Sequence, residues 1–85
     1  MGDRFSVSAE LVNTKRFLSM PITAQVMYFH LLANSIGGYV GNWKALLKRL
    51  GCKMVDINTL KQNSFISILD DGRLYIDDWD FHNKV

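Results

Sequence analysis

Cysteine is nearly missing from this sequence: Cys52 stands alone, so no internal disulfide can form. An 85-residue chain must then hold itself by packing, and a chain that small buries only about 60% of the surface its unfolded form exposes. No Cys-x-x-Cys pair and no paired-histidine spacing occurs, so no metal is expected. No apolar run approaches the roughly 18 residues of a membrane span; the longest, around VMYFHLLA, is far shorter. With no signal peptide and a lone thiol, the expected setting is reducing and cytoplasmic. Repeats, low-complexity tracts and an interdomain linker are also missing, which fits a single domain. So are the marks of catalysis: a nucleophile elbow, a Gly-rich phosphate loop, a Walker lysine, paired carboxylates in a plausible cleft. The glycines of GGYVG lack nucleotide-binding spacing and read as turn residues. The chain is therefore expected to be no enzyme, with no cofactor and no small-molecule substrate.

What is present is apolar content and uneven charge. Hydrophobic residues make up 48% and aromatics 12%, enough for a packed globule rather than a disordered chain. Eight basic and three acidic residues give Met1 to Lys61 a net +5, whereas Gln62 to Val85 is −3. Two different surfaces follow: one suited to phosphates, the other repelled by them.

The segment up to Met20 permits a short strand through Phe5, Val7 and Ala9, then one or two helical turns ending before Pro21. Residues 24–34 form the clearest helix. Thr23 is its expected N-cap, Met27, Tyr28, Leu31 and Leu32 are its core stripe, and Gly37-Gly38 its stop. Val26, Phe29 and Ala33 make nearly the whole circumference apolar, so this helix should sit centrally, covered on several sides. Tyr39 and Val40 follow as a very short strand. Asn42 then caps a helix carrying Trp43, Leu46, Leu47 and Leu50 at i, i+3, i+4 and i+7, closed by Gly51. A third helix over 54–62 buries Ile57 and Leu60. FISIL and RLYI around Asp71-Gly72 predict a type I′ hairpin. The expected class is α+β: a winged helix-turn-helix over 21–85, consisting of helix, short strand, two helices and β-hairpin wing. Residues 1–20 form an N-terminal extension whose Phe5, Val7, Leu11 and Val12 pack either on this domain or on a second copy.

At this level the residues resemble a known family. FLSMPITAQVMYFHLL is similar to a segment of phage replisome-organizer N-terminal domains, in which Phe-Leu precedes Met-Pro and a Tyr-Phe-His-Leu helix. The likeness continues through GYV, the helix ending in RLG, the short helix leading to FI, and the closing Trp79 and Asn83. It spans about Phe17 to Asn83. Departures are NSIGG in place of an acidic cluster, Asp78 where histidine is common, and Lys53-Met54 at a helix start that is usually polar and acidic. The resemblance implies a replication initiator of phages and prophages of Gram-positive bacteria, related to DnaD-like primosome proteins that also self-associate. Such a protein binds double-stranded origin DNA, recruits primosome or helicase-loading proteins, and usually continues into a C-terminal region.

In a winged helix the third helix enters the major groove while the preceding helix and wing touch backbone. Lys44, Lys48, Arg49 and Lys53 are then the expected phosphate contacts, and Asn58, Thr59, Lys61 and Gln62 the expected base readers. The competing reading is that these lysines only solvate a helix face. Asp70 and Asp71 make the wing tip acidic, leaving Arg73 as its one helpful cation. Asp77, Asp78 and Asp80 around Trp79 suggest either a solvated end with Trp79 folded inward or a protein-binding patch. His30 is expected to be packed and His82 exposed; Met20, Met27 and Met54 are expected to fill the core. Two rivals to the initiator reading remain: an interaction module that makes no DNA contact, and a transcriptional regulator of the same fold.

Overall fold

A computed structural model describes residues 8–82, the side chains of 80 and 81 aside. Of the strand expected through Phe5, Val7 and Ala9, the first two lie outside these residues, as does Asn83 of the family likeness, while Ala9 opens a helix instead. Helices α1 (Ala9–Val12) and α2 (Lys15–Leu18) lead into α3 (Ile22–Ala33). Strand β1 (Tyr39–Val40), α4 (Trp43–Leu50), α5 (Met54–Gln62), β2 (Ile66–Ile68), β3 (Leu74–Ile76) and α6 (Trp79–His82) follow. The three strands form one antiparallel sheet in the order β1-β3-β2, with Tyr39 opposite Tyr75 and Ser67 opposite Tyr75. The chain is a small α+β domain.

Local chemistry explains most boundaries. Ser8 and Thr14 cap the two short helices, accepting from the Leu11 and Phe17 amides. Leu11, Phe17 and Met20 are buried, which folds this segment onto the rest of the domain. The stop after α4 is the one expected: Gly51 is left-handed at φ 73°, Cys52 N–H bonds the Leu47 carbonyl, and Gly51 N–H bonds Lys48. That pair of bonds is a Schellman motif. The end of α5 repeats it without glycine, because Ser64 takes φ 63° while Phe65 and Ser64 bond back to Leu60 and Lys61.

Four sequence expectations are corrected here. Thr23 is not the α3 cap: Pro21 occupies that position, and the Thr23 hydroxyl instead donates to Asp56 Oδ1 at 2.7 Å. Asn42 stands at the cap position of α4 but its side chain makes no capping bond. Helix α3 stops at Asn34, whose amide donates to the His30 carbonyl. Gly37 and Gly38 come later and shape the turn into β1. At Gly38 a Cβ would lie 2.7 Å from the Tyr75 ring and 3.0 Å from Trp79, so both φ (90°) and space demand glycine. The hairpin is not type I′, which needs positive φ at both central residues. Asp70 and Asp71 do not have it; Gly72 does, at φ 90°. Gly72 N–H bonds Leu69, and Leu69 N–H bonds Arg73, giving a three-residue loop closed by a glycine bulge.

The core gathers on α3. Ala24, Met27, Tyr28, Leu31 and Leu32 point inward against Leu46 and Leu47 of α4, Ile57 and Leu60 of α5, and Phe65, Leu74 and Ile76 of the hairpin. Phe17, Tyr28 and Phe65 meet edge-to-face with centroids 5.3–5.5 Å apart, a geometry aromatic quadrupoles favour. Contrary to expectation α3 is not covered all round: Ile22 is 70% and Val26 40% exposed.

Two buried polar nodes tie the elements together. Asp56 accepts from the Thr23 hydroxyl and, at 3.1 Å, from Lys53 N–H, joining α3 to the start of α5. His82, expected to be exposed, is buried. Its Nδ1 accepts from Ser8 N–H at 2.7 Å and its Nε2 lies 2.7 Å from the Tyr28 hydroxyl. Because Nδ1 is an acceptor, the ring proton belongs on Nε2 and is donated to Tyr28. Burial holds the Tyr28 phenol far above its ordinary range and the His82 imidazole below its own, with Asp78 opposing the latter.

Asp56→Ala strands the partly buried Thr23 hydroxyl and the Lys53 amide and is expected to lower stability by about 1–3 kcal/mol in chemical denaturation. His82 gives a pH signature. Its folded pKa is below the unfolded value of 6.5, so the unfolded chain binds the proton more readily. Stability should therefore be level above that value and fall as pH drops through it toward the folded pKa. Melting curves between pH 8 and 5 should show this slope in the native chain, and His82→Gln should remove it while lowering stability at pH 8.

Candidate nucleic-acid interface

Helix α4 is strongly two-sided. Trp43, Leu46 and Leu47 are buried, which leaves Lys44, Ala45, Lys48 and Arg49 facing water. Lys44 and Lys48 are one turn apart on the same face, and the Lys44 ammonium lies 5.5 Å from the Trp43 ring centroid. Lys48 and Arg49 occupy the last turn, where cations oppose the negative end of the helix dipole. The Schellman turn then brings Lys53, also exposed, within a few residues of them at the threshold of α5.

Helix α5 buries Asp56, Ile57 and Leu60 and turns Met54, Val55, Asn58, Lys61 and Gln62 outward. At helical spacing these five fall on one face. Thr59 is half-buried, and its hydroxyl donates to the Val55 carbonyl at 2.8 Å. Among the described residues, the side chains of Asn58 and Gln62 make no hydrogen bond. Met54, expected in the core, is 49% exposed and its neighbour Val55 62%.

The hairpin tip behaves differently. Arg73 is exposed but occupied: its Nε lies 2.7 Å from Asp71 Oδ2, its backbone N–H donates to Asp71 Oδ1, and its guanidinium covers the Tyr39 ring at 4.6 Å. The Arg73 amide and then its side chain hold the Asp71 carboxyl below its usual range. Trp43 Nε1–H donates to the Gly72 carbonyl at 2.9 Å, seating the tip against the first residue of α4. The hairpin is therefore short and its tip pinned.

Ion pairing divides the cations. Among the described residues the ion pairs are Arg73 with Asp71 and Arg16 with Asp78, and Arg16 also lies over the Phe65 ring. Lys44, Lys48, Arg49, Lys53 and Lys61 have no carboxylate partner among those residues. No family model, curated protein or solved structure matches the chain. The local arrangement is thus two solvent-facing helix surfaces with unneutralised cations, next to a hairpin whose own cation is neutralised. Desolvation, then the Asp56 charge, push the thiol of neighbouring Cys52 up from its ordinary value, which disfavours the thiolate.

Sequence reasoning missed the outward Met54 and Val55, although a helical wheel centred on Ile57 and Leu60 places Val55 opposite the core and Met54 at its flank. It also missed Arg16, for which no local pattern signals a ring or carboxylate so far along the chain.

Trp43→Phe keeps the packing but removes the bond to Gly72. It is expected to lower stability by about 1 kcal/mol and to speed amide exchange at Leu69 and Gly72, as read by NMR.

Proposed function

We propose that this chain is a winged helix-turn-helix domain that binds double-stranded DNA and helps assemble a phage-type replication-initiation complex. The element order α3-β1-α4-α5-β2-β3 and the strand order β1-β3-β2 support the fold reading, with α4 and α5 as the helix-turn-helix and β2-β3 as a reduced wing. The observation that carries the DNA reading is the group of five cations on α4, the interhelical turn and α5 that face water without a carboxylate partner among the described residues. Phosphates are their natural partners, and affinity then comes from neutralisation more than from base contacts. The replication context rests on the likeness of FLSMPITAQVMYFHLL and the closing Trp79 to replisome-organizer domains. In that context primosome or helicase-loading proteins are the expected partners, and the reading includes no catalytic step.

One observation favours a second reading, an assembly module. Leu18, Ile22 and Val26 present exposed apolar surface at the N-terminal end of α3, at 54%, 70% and 40% exposure. Such surface marks protein contacts when contiguous. Self-association and partner binding fit it, and they are compatible with DNA binding on α4 and α5.

Fluorescence-anisotropy titration of a labelled duplex tests the main reading. With about four or five phosphate contacts, raising salt from roughly 50 to 200 mM should weaken binding about a hundredfold to a thousandfold. Reversal of Lys48 and Arg49 to glutamate should weaken binding to all sequences alike and flatten the salt slope. Arg73→Gln, which removes an already neutralised cation, should change affinity little. No binding at low salt would leave the assembly module as the function.

A further inference from the structure

The outward face of α5 has a specific chemistry: two apolar side chains, one asparagine, one glutamine and one lysine, without arginine or carboxylate. We infer that α5 selects A·T base pairs in the major groove, with Met54 and Val55 against thymine methyl groups and Asn58 paired to adenine; this rests on the DNA-binding reading above.

The apolar pair is the first ground. Ile57 and Leu60 are fully buried, so α5 already has its core face, and Met54 and Val55, at 49% and 62% exposure, lie outside the core cluster. In B-DNA the C5-methyl of thymine is the one apolar group on a major-groove base edge. In helix-turn-helix docking the N-terminal residues of the second helix reach base edges, and Met54 and Val55 are the first two residues of α5. Asn58 is the second ground. One turn beyond Met54 on the same face, its amide is exposed with no partner among the described residues, whereas Thr59 and Asn63 are bonded to the carbonyls of Val55 and Thr59. A free amide donates to one acceptor and accepts from one donor side by side, which matches adenine N7 and N6.

What the face omits is the third ground. Guanine is most often gripped by the fork of an arginine, and cytosine N4 is accepted by a carboxylate; this face has neither. Its cation, Lys61, sits in the last turn of α5, toward the end of the helix that meets backbone. Lys48 and Arg49 in the last turn of α4 and Lys53 at the N-cap of α5 precede this face in the chain, are exposed, and would supply the phosphate anchors that hold it in the groove.

Three labelled duplexes of equal length provide the test: one A·T-rich, one G·C-rich, and the A·T-rich duplex with deoxyuridine in place of thymidine. The A·T-rich duplex should bind about tenfold more tightly than the G·C-rich one. The deoxyuridine duplex should bind more weakly than its thymidine parent, by about fourfold for each thymine methyl that Met54 or Val55 covers. The double variant Met54→Ser, Val55→Ser, with its fold checked by melting, should no longer distinguish thymidine from deoxyuridine. Asn58→Ala should lose affinity for the A·T-rich duplex and keep that for the G·C-rich one. Equal binding to all three duplexes, or an A·T preference that ignores both deoxyuridine and the variants, overturns the inference while leaving DNA binding standing. No binding to any of them at low salt overturns the DNA-binding reading itself.

Discussion

The carboxylate of Asp56 lies buried where α3, the interhelical turn and α5 meet. A charge so placed is tolerated only with its hydrogen bonds satisfied. The Thr23 hydroxyl supplies one, Lys53 N–H another, and the positive end of the α5 dipole adds a third stabilising influence. The consequence is geometric. Helix α5 starts at a fixed point on α3, so its Ile57 and Leu60 must face the core and Met54, Asn58 and Lys61 must face water. The outward surface proposed for DNA is set by this constraint as much as by any cation on it.

Around that node the charges divide. Where carboxylates are dense, at the hairpin and before α6, the arginines are matched: Arg73 with Asp71 and Arg16 with Asp78. On α4 and at the start of α5 the one carboxylate, Asp56, faces inward and is already bonded. The cations of α4, the interhelical turn and α5 therefore stand at the surface without an ion pair among the described residues. The pinned hairpin tip is compatible with the DNA contact proposed for α4 and α5: bonded to Trp43, its acidic end stays against its own domain.

Elements whose cause is local were legible in the sequence. The bounds of α5, the two-sided α4 and its left-handed Gly51 follow from spacing and one glycine. Elements whose cause lies elsewhere in the chain were not. Thr23 has every local property of a cap, yet Asp56, 33 residues away, takes its hydroxyl. His82 sits near the chain end, and only the position of Tyr28, 54 residues earlier, makes it buried. The hairpin turn is ambiguous locally because Asp-Gly serves both a two-residue loop and a bulged three-residue loop; the register of Ile68 against Leu74 decides between them. Helix α3 reads as apolar all round, but periodicity cannot tell a covered face from an open one, and the Ile22–Val26 face is open. Of the candidate site, the cations were legible as exposed helix positions. The engagement of Arg73 and the apolar start of α5 needed the fold.

The most direct test of the central claim is amide chemical-shift mapping of the 15N-labelled chain during titration with a short duplex at low salt. The account predicts perturbations concentrated on Lys44, Lys48, Arg49 and residues 53–62, with little change at Asp70 and Asp71. Perturbations confined to the Ile22–Val26 face of α3 or to the hairpin tip, with α4 and α5 silent, would contradict it.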